Sequence, residues 1–121
     1  MPPKSVRANL VELEESATYL LDRTNGLSSD EMEGDFELAL VVERLLERIG
    51  ETIRRLSLQD SELAARIPDH RQAIDMRNIL AHAYYHVNWD RVRQTLDESI
   101  PTMLTAVQEM LTELTNDGEF E

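Results

Sequence analysis

The chain has 121 residues, a formal net charge of −12 and no cysteine. That length builds a single core, burying roughly two thirds of the unfolded surface, and the missing thiols exclude disulfide staples, thiolate nucleophiles and cysteine-bound zinc. No run of about 18 apolar residues occurs, and Met1-Pro2-Pro3-Lys4 lacks the apolar stretch of a signal peptide, so the expectation is a cytoplasmic protein without a membrane partner.

Val6, Leu10, Leu13, Ala17 and Leu20 recur at spacings of four and three, which predicts a helix over Ser5–Arg23 with one apolar stripe, stopped by Asn25-Gly26. Ser28, Ser29 and Asp30 offer N-caps for a short acidic helix that Gly34 breaks. From Asp35 to Leu58 the pattern is helical again, with Phe36, Ala39, Val42, Leu46, Ile49 and Ile53 on one side and Leu38, Val41, Leu45 and Leu56 on another. A helix apolar on two sides belongs at the centre. Gly50 in its interior costs about 1 kcal/mol relative to alanine and suggests a close helix neighbour.

Asp60-Ser61 caps a short helix expected to run through Arg66, and Pro68 ends it. Asp69 caps the next helix, with Ala73, Met76, Ile79, Leu80, Ala83 and Val87 apolar and its end near His86. Asn88 or Asp90 starts the last long helix, in which Pro101 implies a kink or restart before Met103. The fold class is therefore all-α: an up-and-down bundle of four to five helices forming one domain over residues 1–115, with a disordered acidic tail over 116–121.

Charge is distributed unevenly. From Arg66 to Arg93 five arginines (Arg66, Arg71, Arg77, Arg91, Arg93) face three acids (Asp69, Asp75, Asp90), a balance of +2, so the other 93 residues carry −14. His70, His82 and His86 all fall in this window. Two explanations stand: a chance gap in a solvated acidic surface, or an anion site on a body that repels bulk nucleic acid and suits a basic protein partner.

Within that window, Arg77, Asn78, His82 and Tyr84 occupy little more than two helical turns. Arg77 and Tyr84 differ by about 20° around the axis and share a face, whereas Arg77 and His82 are about 140° apart. Either Arg77 curls around toward the groove or a second copy of the helix completes the site, and a dimer is the simpler geometry. Taken singly, Arg77 is equally a surface ion pair, His82 a core histidine and Tyr84 a core aromatic. His82 and His86 also have metal-ligand spacing, with Asp90 one turn on, but no glutamate stands where a zinc-protease motif would have one.

The grouping Arg-Asn-x3-His-x-Tyr, from Arg77 to Tyr84, resembles the signature of the HepT-like branch of the HEPN families. Arg48-Ile49-Gly50-Glu51 and the Ile100-Pro101 step are similar to further features of that family, so the likeness covers about residues 35–113. Two departures are the Asp69-His70 pair, where relatives often carry an aromatic, and the strongly acidic total charge.

The resemblance implies a metal-independent endoribonuclease toxin, paired with a nucleotidyltransferase antitoxin in a type VII system. RNA rather than DNA would be the substrate, with no cofactor and no metal. It implies Arg77, His82 and Asn78 as catalytic, with Asn78 orienting His82 or holding a phosphate oxygen, Glu51 as a group orienting Arg77, and Tyr84 as the acceptor of AMP from the antitoxin. A homodimer would supply one imidazole as base and another as acid. The alternative is a non-catalytic nucleotide- or partner-binding subunit of a separate nucleotidyltransferase, and a purely structural helical adaptor also fits the acidic surface.

Overall fold

The structure, a computed structural model, describes residues 5–74 and 87–116, and among these there are helices and turns but no strand. Helix α1 spans Val6–Thr24, capped by the Ser5 hydroxyl, which accepts from the Ala8 N–H at 3.0 Å. Leu10, Leu13, Ala17 and Leu20 of the expected stripe are fully buried. Gly26 ends the turn after α1 in the left-handed region at φ +79°, a conformation glycine adopts without a Cβ penalty.

Helix α2, Ser29–Gly34, begins with a capping box in which Ser28 and Glu31 satisfy each other's backbone N–H groups. Its Met32 is wholly buried. Helix α3, Phe36–Gln59, starts from Asp35, whose carboxylate accepts from the Leu38 N–H. Both apolar sides contribute to the core through Leu38, Val42, Leu46, Ile49, Ile53 and Leu56, and Gly50 is buried among them. Phe36 is a correction: expected on the packed side, it is 76% exposed, because as the first residue of the helix it lies at the margin of a core whose buried α3 residues begin at Leu38.

Helix α4 is shorter than expected, Ser61–Ala64 instead of continuing through Arg66. The chain tightens into i→i+3 turns from Arg66 N to Leu63 O and from Ile67 N to Ala64 O as it approaches Pro68, which disfavours helical geometry in the residue before it. Ile67 is driven into the core by that turn. Asp69 takes the N-cap place before the helix that opens at residues 70–74, but with φ +59°.

Asn88 caps helix α5, Trp89–Gln94, by accepting from the Arg91 N–H at 3.1 Å. A π-helical turn, Thr95–Ser99, follows, and α6 runs over Ile100–Asn116. The restart expected before Met103 thus takes the form of one wide turn. Proline has no N–H, and its ring presses on the carbonyl four residues back; here the Ile100 N–H bonds the Thr95 carbonyl five residues back, widening the coil just before Pro101. The last segment expected to be disordered is helical as far as Asn116, and residues 117–121 lie outside the described residues.

Helix α1 packs on both α3 and α6, while α2 packs on α3 and α5. Asn9 meets Gln59, and Glu12 meets Arg48 and Arg55, so α1 and α3 run in opposite directions. No described helix is long and apolar enough to cross a membrane.

One arginine ties the bundle's end together. Arg93 Nη1 donates to the carbonyls of Thr24 (3.0 Å) and Leu27 (2.8 Å), and Nη2 to Asp97 at 2.8 Å. Arg93→Ala removes the donor from both carbonyls of the α1–α2 connection, a loss of about 2 kcal/mol expected from hydrogen bonds to a charged group. Urea unfolding measures it, and Arg93→Lys should recover only part, since an ammonium lacks the planar fork.

Candidate active site

Arg77, Asn78, His82 and Tyr84 lie outside the described residues, as does His86; the frame on either side of them is described. Before them come Pro68, left-handed Asp69 and a helix start whose Ala73 N–H bonds the Asp69 carbonyl at 3.0 Å. After them, Val87 is partly buried and Trp89 is almost fully buried in α5. Both described flanks are therefore packed into the bundle.

Glu51 is half-buried on α3, with no hydrogen-bond or ion-pair partner among the described residues. It continues a row with Glu43 and Glu47 at helical spacing of four, all three half-buried. Partial burial pushes the Glu43 carboxyl up from its ordinary range. A row of three acids repels phosphate, so this face of α3 offers a polyanion nothing except at a point where a cation meets it.

The arginine-rich window divides by role. Arg66 makes a two-pronged pair with Glu113, at 2.9 and 2.6 Å; this hydrogen bonding holds the Glu113 carboxyl below, and the Arg66 guanidinium above, its ordinary range. Arg93 is the internal tie already described. Arg71 and Arg91 are exposed and form no ion pair among the described residues. Two of the five arginines thus serve the fold, and the excess positive charge of the window rests on Arg71, Arg77 and Arg91.

A cleft of about 360 Å³ opens beside the start of the motif helix. Among the described residues its floor is apolar, from Ile49 and Ile53 of α3 and Met103 of α6. Asp69 and Gln72 stand on one rim, and Arg91, Gln94 and Glu98 on the other. The Ser99 hydroxyl bridges the two sides, 3.5 Å from an Asp69 carboxylate oxygen. Among the described residues no group of three histidine, aspartate or glutamate side chains is placed to hold a metal ion.

The sequence reading did not single out the polar seam between α1 and α3. Glu12 is buried, and its carboxylate accepts from Arg48 Nη2 at 3.0 Å, from Arg55 Nη2 at 2.8 Å and from the Thr52 hydroxyl. Asn9 Nδ2 donates to Gln59 at 2.7 Å on the same line. The signal was present: Asn9, Glu12 and Ser16 recur at three and four, and Arg48, Thr52, Arg55 and Gln59 at four, three and four, each a polar row on one face.

A family model described as Ribonuclease HepT-like matches residues 13–110. A protein of Caldanaerobacter subterraneus subsp. tengcongensis is 29% identical over 108 residues, covering 89% of this chain and 96% of its own. One from Methanocaldococcus jannaschii is 27% identical over 119 residues, 98% of each chain. Both are named only as candidate RNases. No solved structure matches.

Proposed function

Because this chain belongs to the HepT-like ribonuclease family of HEPN proteins, we propose that it is a metal-independent endoribonuclease, the toxin of a type VII toxin–antitoxin pair. The observation that carries this reading is the span of the family match, residues 13–110, which takes in Arg77, Asn78, His82 and Tyr84. In the proposed reaction His82 removes the proton from a ribose 2′-hydroxyl. The freed oxygen attacks the adjacent phosphorus, the bond to the 5′-oxygen breaks, and that oxygen takes a proton from a second imidazole. The products are a 2′,3′-cyclic phosphate and a 5′-hydroxyl.

Arg77 offers a permanently charged fork to the phosphate as charge grows on it, Asn78 orients His82, and Glu51 orients Arg77. The half-buried Glu51 carboxylate, without a partner among the described residues, supports that last role. Two copies of the chain supply the base and the acid. DNA, lacking the 2′-hydroxyl, is not a substrate.

The test is incubation of the purified chain with cellular RNA, and with DNA of matched sequence, in the presence of a chelator. RNA should be cut to fragments ending in cyclic phosphate, and DNA left whole. The charge of −12 favours a second reading, a non-catalytic subunit binding a basic nucleotidyltransferase; intact RNA in this assay, together with partner binding weakened by Arg77→Ala, would establish it instead.

The proposed control is transfer of AMP to Tyr84 by that partner. Tyr84 shares the helical face of Arg77, whereas Tyr85 is turned about 100° away from it, so an AMP on Tyr84 would set its phosphate at the arginine. After incubation with partner and ATP, mass spectrometry should find one AMP, on Tyr84, and cleavage should fall without unfolding. AMP on Tyr85 alone, or a Tyr84→Phe protein silenced equally well, would assign the control elsewhere.

A further inference from the structure

The cleft bounded by Asp69 and Gln72 on one side and Arg91, Gln94 and Glu98 on the other has no part in the chemistry proposed above. We propose that it is a base-recognition subsite, matched to guanine, that holds a nucleotide of the RNA next to the cut. The inference rests on the ribonuclease reading and adds a sequence preference to it.

Volume and lining come first. About 360 Å³ is the lower part of the range for small-ligand sites, which combine apolar walls with a few convergent polar groups. Pro68 and Ala73 provide the accessible apolar surface against which a flat base can lie, above a floor of Ile49, Ile53 and Met103, each at most 3% exposed. Arg91 and Gln94 of α5 and Glu98 of the π turn that follows line the other side.

Charge then selects the occupant. Among the described lining residues two carboxylates, Asp69 and Glu98, stand with one guanidinium, Arg91, a set that suits a neutral group rich in donors better than a phosphate. Guanine alone among the four bases offers adjacent N1–H and N2–H₂ donors, which one carboxylate can accept together, and its O6 and N7 are the acceptors an arginine fork takes. Arg91 has no ion-pair partner among the described residues, and the side chain of Glu98 makes no hydrogen bond among them either. Both are available.

Backbone geometry points to the same place. Asp69 holds a positive φ, and the π turn Thr95–Ser99 forms the opposite rim. Each is a departure that ordinarily costs free energy, and such departures concentrate where a structure positions functional groups. They face each other across this cleft.

Connectivity joins it to the motif. Arg77 follows Ala73, a lining residue, by four positions, so covalent reach limits their separation to about 14 Å. A base in the cleft is then one or two nucleotides from a phosphate held by Arg77.

The experiment has two readouts on the full chain. Calorimetric titration with 5′-GMP, 5′-AMP, 5′-CMP and 5′-UMP should show GMP bound about tenfold or more tightly than the others. Glu98→Gln, an exposed substitution whose folding circular dichroism checks, should abolish that preference. Cleavage of a randomised RNA pool, with the cut ends sequenced, should place guanine at a fixed position beside the cut in the wild type only. For a guanine-containing oligonucleotide, Glu98→Gln should raise KM and leave kcat nearly unchanged. Equal binding of the four nucleotides, or a guanine preference intact in Glu98→Gln, overturns the subsite. RNA cut without base preference overturns it while leaving the ribonuclease reading in place; GMP bound selectively by a chain that cuts no RNA supports the subsite and removes the ribonuclease reading.

Discussion

Replacement of His82 by alanine is expected to slow RNA cleavage about 10²- to 10⁴-fold, the usual contribution of a positioned acid–base group, with helical content unchanged. Arg77→Ala should be comparably damaging, and Arg77→Lys should rescue little, because a point charge cannot replace a planar fork on phosphate. Chelators should change neither wild-type nor residual rates. If one imidazole must come from each copy, mixing the His82→Ala and Arg77→Ala proteins should restore no activity, because every mixed dimer keeps a single His82. Variants within threefold of wild type in a single-turnover assay would remove both residues from the mechanism.

The largest effect on stability is expected at Glu12, far from the motif in sequence. Its buried carboxylate neutralises Arg48 and Arg55 and takes the Thr52 hydroxyl. Breaking a buried pair from one side costs about 3–5 kcal/mol. The Arg48 and Arg55 side chains are 48% and 42% exposed and can regain water, so Glu12→Ala should fall at the low end, about 3 kcal/mol. A chain of charge −12 would gain from losing an acid if only long-range repulsion mattered. The two effects have opposite signs, and the shift in urea midpoint at constant slope decides between them.

Most of the helices were legible because their signals are local. Ser28, Asp60 and Asn88 cap where their side chains predict, Ser5 and Asp35, expected as first helical residues, prove to be caps, and the stripe from Leu10 to Leu20 buries as its spacing requires. Phe36 was misread because periodicity gives a direction around the axis and says nothing about whether a neighbour extends that far along it. The end of α4 was misread because Arg66 satisfies a helical pattern while the constraint from Pro68 acts on the residues before it.

The proposed site divides in the same way. Arg77, Asn78, His82 and Tyr84 are close in sequence and form a recognisable spacing, whereas the cleft gathers Asp69, Arg91 and Glu98 from two segments. Only the packing of the turn at Asp69 against α5 and the π turn brings those three together. The polar seam was readable in principle, since both rows keep strict helical spacing. Its pairing depends on α1 and α3 lying side by side, which no single row specifies.

On paper, Trp89, Val92, Leu96, Ile100, Met103, Val107 and Met110 trace one unbroken stripe, as for a straight helix with a single neighbour. The wide turn at Thr95–Ser99 changes the phase of that stripe, because one residue accommodated there is worth about 100° of rotation. Trp89 and Val92 can then pack toward α2 while Met103 and Val107 pack toward α1. The same rotation aims Arg91: rewound to ordinary α geometry, the segment before the turn would swing by about 100° relative to Met103. A one-residue deletion between Thr95 and Ser99 is thus a change of angle as much as of length, felt at once by a helix contact and by the rim of the cleft.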